Sequence, residues 1–243
     1  MDIRKTKLVL AAAASAAAMA VPAAGAAPTS AAPVIQPGVS LDFGGSFCTA
    51  NWVYDGANGA VYIGAARHCT NQTVGQVVYL ATGSLGTDVE RIGTVAYWGA
   101  NLDYSLVQLD PGVLGQVQVT MAGHPTIPTG VATPADVAQG DLVQFSGHGV
   151  GVDATTATQQ QRVGVFMYFD GQGNYVTVGA VTPGDSGGPV GDITDGNRAL
   201  GIVDTVGINL AFPGGAGTEE GVAVASLIAD ASAHFAPISL AHV

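Results

Sequence analysis

Gly184-Asp185-Ser186-Gly187-Gly188-Pro189 is the stretch from which the rest of this chain can be read. A serine hydroxyl is a weak nucleophile and needs a neighbouring base and a site for the developing oxyanion. Glycine before the Asp-Ser pair lets the backbone bend so that N–H groups point at one spot. The N–H groups of Gly184 and Ser186 are the candidates for that oxyanion hole. Gly187 and Gly188 leave room for a second segment to approach closely. The competing reading is a tight glycine turn between two strands. The chain holds 35 glycines, so glycine pairs alone carry little weight and only the whole hexapeptide does.

Two further residues complete a constellation. His68 lies in Ala65-Ala66-Arg67-His68-Cys69, just after the apolar run Val61-Tyr62-Ile63. Asp103 opens the strand-like segment Asp103-Tyr104-Ser105-Leu106-Val107. Taken singly, His68 reads equally as a core histidine and Asp103 as a strand-start cap. Together they stand in the order His, Asp, Ser, which is the chymotrypsin order and not that of subtilisin or the α/β-hydrolases. On these residues the chain, over residues 44–235, resembles the chymotrypsin-like (trypsin-fold) serine proteases of the bacterial, exported type. The resemblance implies an all-β fold of two six-stranded antiparallel barrels, a site at their seam and a short C-terminal helix. It assigns Ser186 as nucleophile, His68 as general base and Asp103 as the group that orients the imidazole. The partner implied is a peptide or protein substrate, with no cofactor and no metal.

The N-terminus has the layout of an export signal at 1–26. Arg4, Lys5 and Lys7 precede an uncharged apolar run from Leu8 to Val21, and Ala24-Gly25-Ala26 supplies small residues for cleavage. The run is shorter than the ~20 apolar residues of a membrane span, so the reading is a secreted, extracellular product with no membrane attachment after signal removal. Export changes how the two cysteines are read. In an oxidising compartment Cys48 and Cys69 are expected to pair, fixing the loop that carries His68. Two free thiols, or a catalytic cysteine, are the other readings. The formal charge is −11 and becomes −13 without the signal, because three of the seven cations and one acid lie in it. Acidic and lysine-free once the signal is removed, the chain is no natural partner for nucleic acid or anionic membranes.

Short runs rich in Val, Ile, Tyr and Phe, separated by Gly, Asn, Asp and Pro, read as strands of barrels or a sandwich. They are 61–64, 76–81, 92–98, 104–109, 142–145, 163–169, 175–181, 199–204 and 222–225. Residues 27–43 read as a short leader and 124–135, with its spaced prolines, as a linker. The halves are then 44–123, with His68 and Asp103, and 136–243, with Ser186 and a helix over 226–235. His124, His148, His234 and His242 are scattered and form no ligand cluster. Asp170-Gly171-Gln172-Gly173-Asn174 reads as a hairpin loop, with a calcium site as the weaker reading.

Several positions depart from the family pattern. Arg67 stands where the family usually has Gly or Ala. No N-terminal Ile-Val-Gly-Gly sequence is present to pair with Asp185, and the position of an arginine in bacterial relatives holds Phe145. Asp185 therefore needs an internal partner, from Arg67, Arg91, Arg162, Arg198 or hydrogen bonds alone. Asp204 falls where the family usually has serine near the triad aspartate. It must point away, pair with a cation, or lie one position off this register. The resemblance places Ala180 at the floor of the primary pocket, with Thr205 and Val206 on its wall, which implies cleavage after small or medium apolar side chains. Asp204, Glu219 or Glu220 reaching the pocket would instead favour a cation. Two other functions remain open on sequence: a catalytically inactive binding module on the same fold, and an exported esterase.

Overall fold

Antiparallel pairing organises the computed structural model, which describes residues 32–82, 88–124, 127–149, 160–179, 181–194, 196–207 and 217–242. All of these fall within one unit, Ala32–Val243. The expected signal therefore lies outside the described residues, as does the first part of the expected leader.

The first sheet is built from β1 (Ser40–Asp42), β2 (Phe47–Thr49), β3 (Val53–Gly56), β4 (Val61–Ala65), β5 (Val77–Thr82), β6 (Asp88–Trp98), β7 (Ser105–Leu109) and β15 (Ile238–Leu240). Its order is β15-β3-β4-β7-β6-β5-β1-β2. The second sheet holds β8 (Leu142–Gly147), β9 (Gln160–Phe169), β10 (Asn174–Gly179), β11 (Pro189–Asp192), β12 (Arg198–Ile202), β13 (Thr205–Gly207) and β14 (Gly217–Val222). Its order is β12-β11-β8-β9-β10-β14-β13. Helix α1 (Val224–His234) follows β14 directly. Two antiparallel β units with a short C-terminal helix are the expected architecture. The sheets carry eight and seven strands in place of six each. Four of the strands, β1, β2, β13 and β15, are only three residues long. Segments that short show no readable alternation, and long-range pairing supplies what local pattern lacks.

Alternation decides which faces are buried. In β10 Tyr175, Thr177 and Gly179 are buried, while Asn174, Val176 and Val178 are less so. Leu41, Ile63, Leu80, Ile92 and Val107 meet in the core of the first sheet. Phe145, Phe166, Tyr175, Val190 and Leu200 form that of the second. A third cluster joins both sheets and the helix through Trp52, Tyr104, Ile202, Val222, Leu227 and Leu240. Trp52 Nε1 donates to the Gly201 carbonyl at 3.1 Å, so the seam is also hydrogen-bonded. In α1, Val224, Leu227 and Ala231 are buried at helical spacing. The Tyr104 hydroxyl donates to Asp230 on that helix at 2.6 Å.

Three expected boundaries shift. Residues 33–43 are not a loose leader, since Ile35 and Leu41 are fully buried and Ile35 N donates to Gln116 O at 2.9 Å. The apolar side chains in that Ala/Pro/Ser-rich stretch find cover only in tertiary structure. The stretch 222–225 is not a strand throughout, because β14 ends at Val222 and α1 begins at Val224. The chain's last strand leaves the second half: β15 pairs with β3, Leu240 opposite Tyr54. The described part of the linker lies along β12, with Ala132 N donating to Ala199 O at 2.9 Å. The Asp170 loop is a hairpin turn whose carboxylate accepts from Gln172 N, Asn174 N and Asn174 Nδ2 at 2.6, 3.0 and 2.8 Å. Those bonds give the carboxylate a role inside the turn itself.

Candidate active site

Strands β4 and β7 pair with Ala65 opposite Ser105, so residues 66–68 and 102–104 leave the sheet side by side. Beyond β4 the chain makes a single 3-10 turn, Arg67–Cys69. Cys69 in this turn is bridged to Cys48 in β2. The expected disulfide is therefore present, and the other two readings of these cysteines fall. His68 Nδ1 donates to Asp103 Oδ2 at 2.6 Å, and His68 N donates to Asp103 Oδ1 at 2.9 Å. One carboxylate thus fixes both the ring and the backbone of the histidine. Burial opposes the Asp103 charge. The hydrogen bonds and charge of His68, with Arg67 nearby, outweigh that and hold the carboxyl below its ordinary range.

Arg67 has a defined place as well. Its Nη1 donates to the carbonyls of Gly99 and Ala100 at 2.9 and 2.8 Å. Its Nε stands 3.9 Å from Asp103 Oδ1. The guanidinium pins the loop before Asp103 and adds a cation on the side away from the His68 ring contact.

The turn that carries Ser186 is shaped by its own backbone. Gly184 and Gly187 have φ of 105° and 84°, the region glycine enters freely. The N–H groups of Asp185, Gly187 and Gly188 donate to the carbonyls of Thr182, Val203 and Asp185 at 3.0, 2.6 and 2.7 Å. Among the described residues, those of Gly184 and Ser186 have no acceptor in the chain. Beneath the turn, Asp185 is buried and meets Arg162 through two parallel bonds, Nη1 to Oδ2 at 2.5 Å and Nη2 to Oδ1 at 2.6 Å. Of the four arginines considered from sequence, Arg162 is the partner. Its strand explains why: β8 and β9 pair with Phe145 directly opposite Arg162. The arginine sits one strand over from the expected position and reaches the same carboxylate.

The two halves meet at this turn. Thr49, at the end of β2, donates from N to the Ser186 carbonyl at 2.9 Å and from Oγ1 to the Gly184 carbonyl at 2.8 Å. A Cβ on Gly187 would fall 2.7 Å from Ala66 N and 3.1 Å from Ala65 Cα. Only glycine permits that approach, and it presses the Ser186 turn against the segment that carries His68. Cys69 Sγ lies 4.0 Å from the Ser186 carbonyl oxygen. Thr49 carries no sequence signal of its own and was not singled out. Donor atoms of Cys48, His68 and Cys69 lie within 4.8 Å of one another. Two of them are bridged sulfurs, which offer no thiolate to a metal.

The structure bears out none of the three readings for Asp204 as made, since its carboxyl is enclosed without a salt bridge among the described residues. The residue directs its carboxyl inward, and Oδ1 is closed off from solvent with no hydrogen-bond partner among the described residues. Burial first, then the charges of Asp103 and Glu219, push this carboxyl well above the usual range. Glu219 is fully buried and accepts from the hydroxyls of Tyr175 and Thr177. Burial pushes it up to about 8. Glu220 is exposed. Thr205, expected on the pocket wall, is exposed and its hydroxyl donates to Glu220 O at 3.2 Å. Ala180 and the Val206 side chain lie outside the described residues.

No family model and no curated protein matches this sequence. Solved structures do. Thermobifida fusca protease A is similar at 19% identity and a TM-score of 0.59, over 86% of this chain and 100% of that one. A Nocardiopsis protease is similar at 20% identity and a TM-score of 0.58, over 86% and 99%. With its two antiparallel sheets and C-terminal helix, this chain has the chymotrypsin-like fold of those two bacterial proteases.

Proposed function

We propose that this chain is a secreted serine endopeptidase that works through an acyl-enzyme. Ser186 attacks the peptide carbonyl while His68 takes its proton and then returns it to the leaving amine. Asp103 holds the imidazole in the right tautomer and stabilises its protonated form. The unused N–H groups of Gly184 and Ser186 receive the oxyanion. The observation that carries this reading is the 2.6 Å bond from His68 to Asp103 on a segment pressed against the Ser186 turn. A catalytically inactive binding module has no need of that bond or of two N–H groups left without an acceptor among the described residues. An esterase built on the Gly-x-Ser-x-Gly elbow would place the serine between strand and helix, whereas here the turn runs into strand β11.

The primary pocket is proposed to be formed by Ala180, Thr205 and Val206 and to accept small or medium apolar side chains. Labelling with a fluorophosphonate, with the site mapped by mass spectrometry, tests the nucleophile. Ser186→Ala is expected to abolish labelling and, like His68→Ala, to lower peptide hydrolysis by roughly six orders of magnitude. Labelling that survives in Ser186→Ala refutes the assignment. On the wild-type enzyme, a panel of peptide amides is expected to favour Ala, Leu or Phe before the scissile bond. A preference for Arg or Lys of about tenfold or more, about 1.4 kcal/mol, refutes the apolar pocket.

A further inference from the structure

The N–H groups of Gly184 and Ser186, both without an acceptor among the described residues, are held in different ways. A peptide unit is planar, so fixing its carbonyl fixes the direction of the N–H that follows. For Ser186 the turn does this by itself, because the Asp185 carbonyl accepts from Gly188 N at 2.7 Å. For Gly184 it does not: no backbone N–H among the described residues donates to the Pro183 carbonyl. Gly184 also has φ of 105° and no Cβ to limit rotation about its own backbone bonds. Its N–H keeps a fixed aim only if the other side of the residue, the Gly184 carbonyl, is held.

That carbonyl is held from the other sheet. Thr49 closes β2 and is fully buried. Its Oγ1 donates to the Gly184 carbonyl at 2.8 Å. The same oxygen accepts from His148 N, just past β8, at 3.1 Å. A backbone N–H only donates and a carbonyl only accepts, so the hydroxyl proton points at Gly184. Asp185 N secures the other edge of the same peptide, donating to Thr182 O at 3.0 Å. The backbone of Thr49 is pinned to the turn as well, through its N–H to the Ser186 carbonyl at 2.9 Å. The fit around its side chain is close. A Cβ on Gly188 would fall 3.3 Å from Thr49 Cγ2, and one on Gly147 would fall 3.2 Å from Thr49 Oγ1.

We propose that Thr49 is a positioning residue for the oxyanion site: its hydroxyl, reaching across from the first sheet, locks the Gly184 peptide and so keeps the Gly184 N–H aimed at the oxygen that gains charge. The proposal rests on the protease reading for its catalytic meaning. Its physical content is that one donor of the pair is set inside the turn and the other across the seam. The pair is then complete only while the two halves are docked. Without the hydroxyl, Gly184 regains the rotational freedom of a glycine, and one of the two donors loses its aim.

The test compares the full secreted protein with Thr49→Val, which keeps the volume and loses the hydroxyl, and Thr49→Ser, which keeps the hydroxyl and loses the methyl group. Thr49→Ala, smaller and also without a hydroxyl, stands in for valine if the branched side chain disturbs folding. On a peptide amide, Thr49→Val is expected to lower kcat by about 10- to 100-fold with KM within about twofold, and Thr49→Ser to stay within about threefold of wild type. A wild-type kcat in Thr49→Val, an equal loss in both variants, or a loss carried by KM overturns the proposal. The carbonyl carbon resonance of Gly184 reports the bond without turnover. It is expected to move in Thr49→Val and to hold its wild-type position in Thr49→Ser. A resonance that stays in place in Thr49→Val also overturns the proposal. Failed fluorophosphonate labelling of wild type would sink the protease reading, and the Gly184 resonance would still decide whether Thr49 holds that peptide.

Discussion

The two sides of the site are held in opposite ways. His68 and Asp103 ride on surface segments of the first sheet, with side chains 44% and 26% exposed. What fixes them is a covalent bridge from Cys69 to Cys48, a short bond to a carboxylate and the grip of Arg67 on the neighbouring loop. Ser186 rides on a backbone turn of the second sheet above an ion pair whose side chains are 9% and 1% exposed. On the proposed reading, the proton-carrying side is left accessible and stapled at its edge, while the nucleophile side is anchored by charge in the interior. A base that must exchange protons needs solvent and substrate access. An oxyanion site needs N–H groups that do not move.

If that contrast is real, breaking the buried side has the larger effect. Arg162→Gln leaves Asp185 without its cation in the interior, and is expected to destabilise the protein by about 3–5 kcal/mol. Urea unfolding monitored by tryptophan fluorescence measures it. A loss no greater than that of a surface substitution would remove the buried pair from its anchoring role. Next comes the staple. The Cys48–Cys69 bridge closes a loop with a sequence separation of 21, worth about 3 kcal/mol in the chain-entropy model. Reduction is expected to lower the unfolding midpoint, and to lower turnover more steeply than Ser186 labelling at saturating probe, because the bridge holds the base. Equal losses in both would mean that it stabilises the whole fold indiscriminately.

The last effect concerns Glu219, on the buried side, and is read as a slope with pH. Its carboxyl is raised from 4.5 to about 8, chiefly by burial. Between those two values the folded chain keeps a proton that the unfolded chain has lost. Stability contributed by this group therefore falls as pH rises through that window, by about 1 kcal/mol per pH unit. Glu219→Gln cannot titrate, so its unfolding free energy is expected to be flatter there than that of wild type. Parallel curves for the two proteins would show that Glu219 stays ionised when folded.

Much of this site is legible in residues that sit close together in the chain. The hexapeptide at 184–189 states a backbone requirement, and Gly184 and Gly187 adopt the positive φ it implies. The order of His68, Asp103 and Ser186 was readable, as was the pairing of the only two cysteines. The cation under Asp185 was readable only as a set of four candidates. Arg162 lies 23 positions away in sequence, and nothing local marks it. The register of β8 on β9, with Phe145 opposite Arg162, makes the choice.

Asp204 marks the same divide from the other direction. Its residue type announced a conflict with Asp103, but none of the three resolutions offered from sequence describes the enclosed, unpaired carboxyl that results from where β13 and β14 carry the backbone and from how little water reaches Oδ1. Likewise Ile35, in a stretch with the composition of a loose leader, is buried because Gln116 and Gln118 pair with its backbone from far along the chain. Local sequence by itself determined the conformations that single residues must adopt and the chemistry they can offer. Tertiary structure alone decided partners, burial and protonation, because each is set by strand register and solvent exclusion, which no short stretch of chain contains.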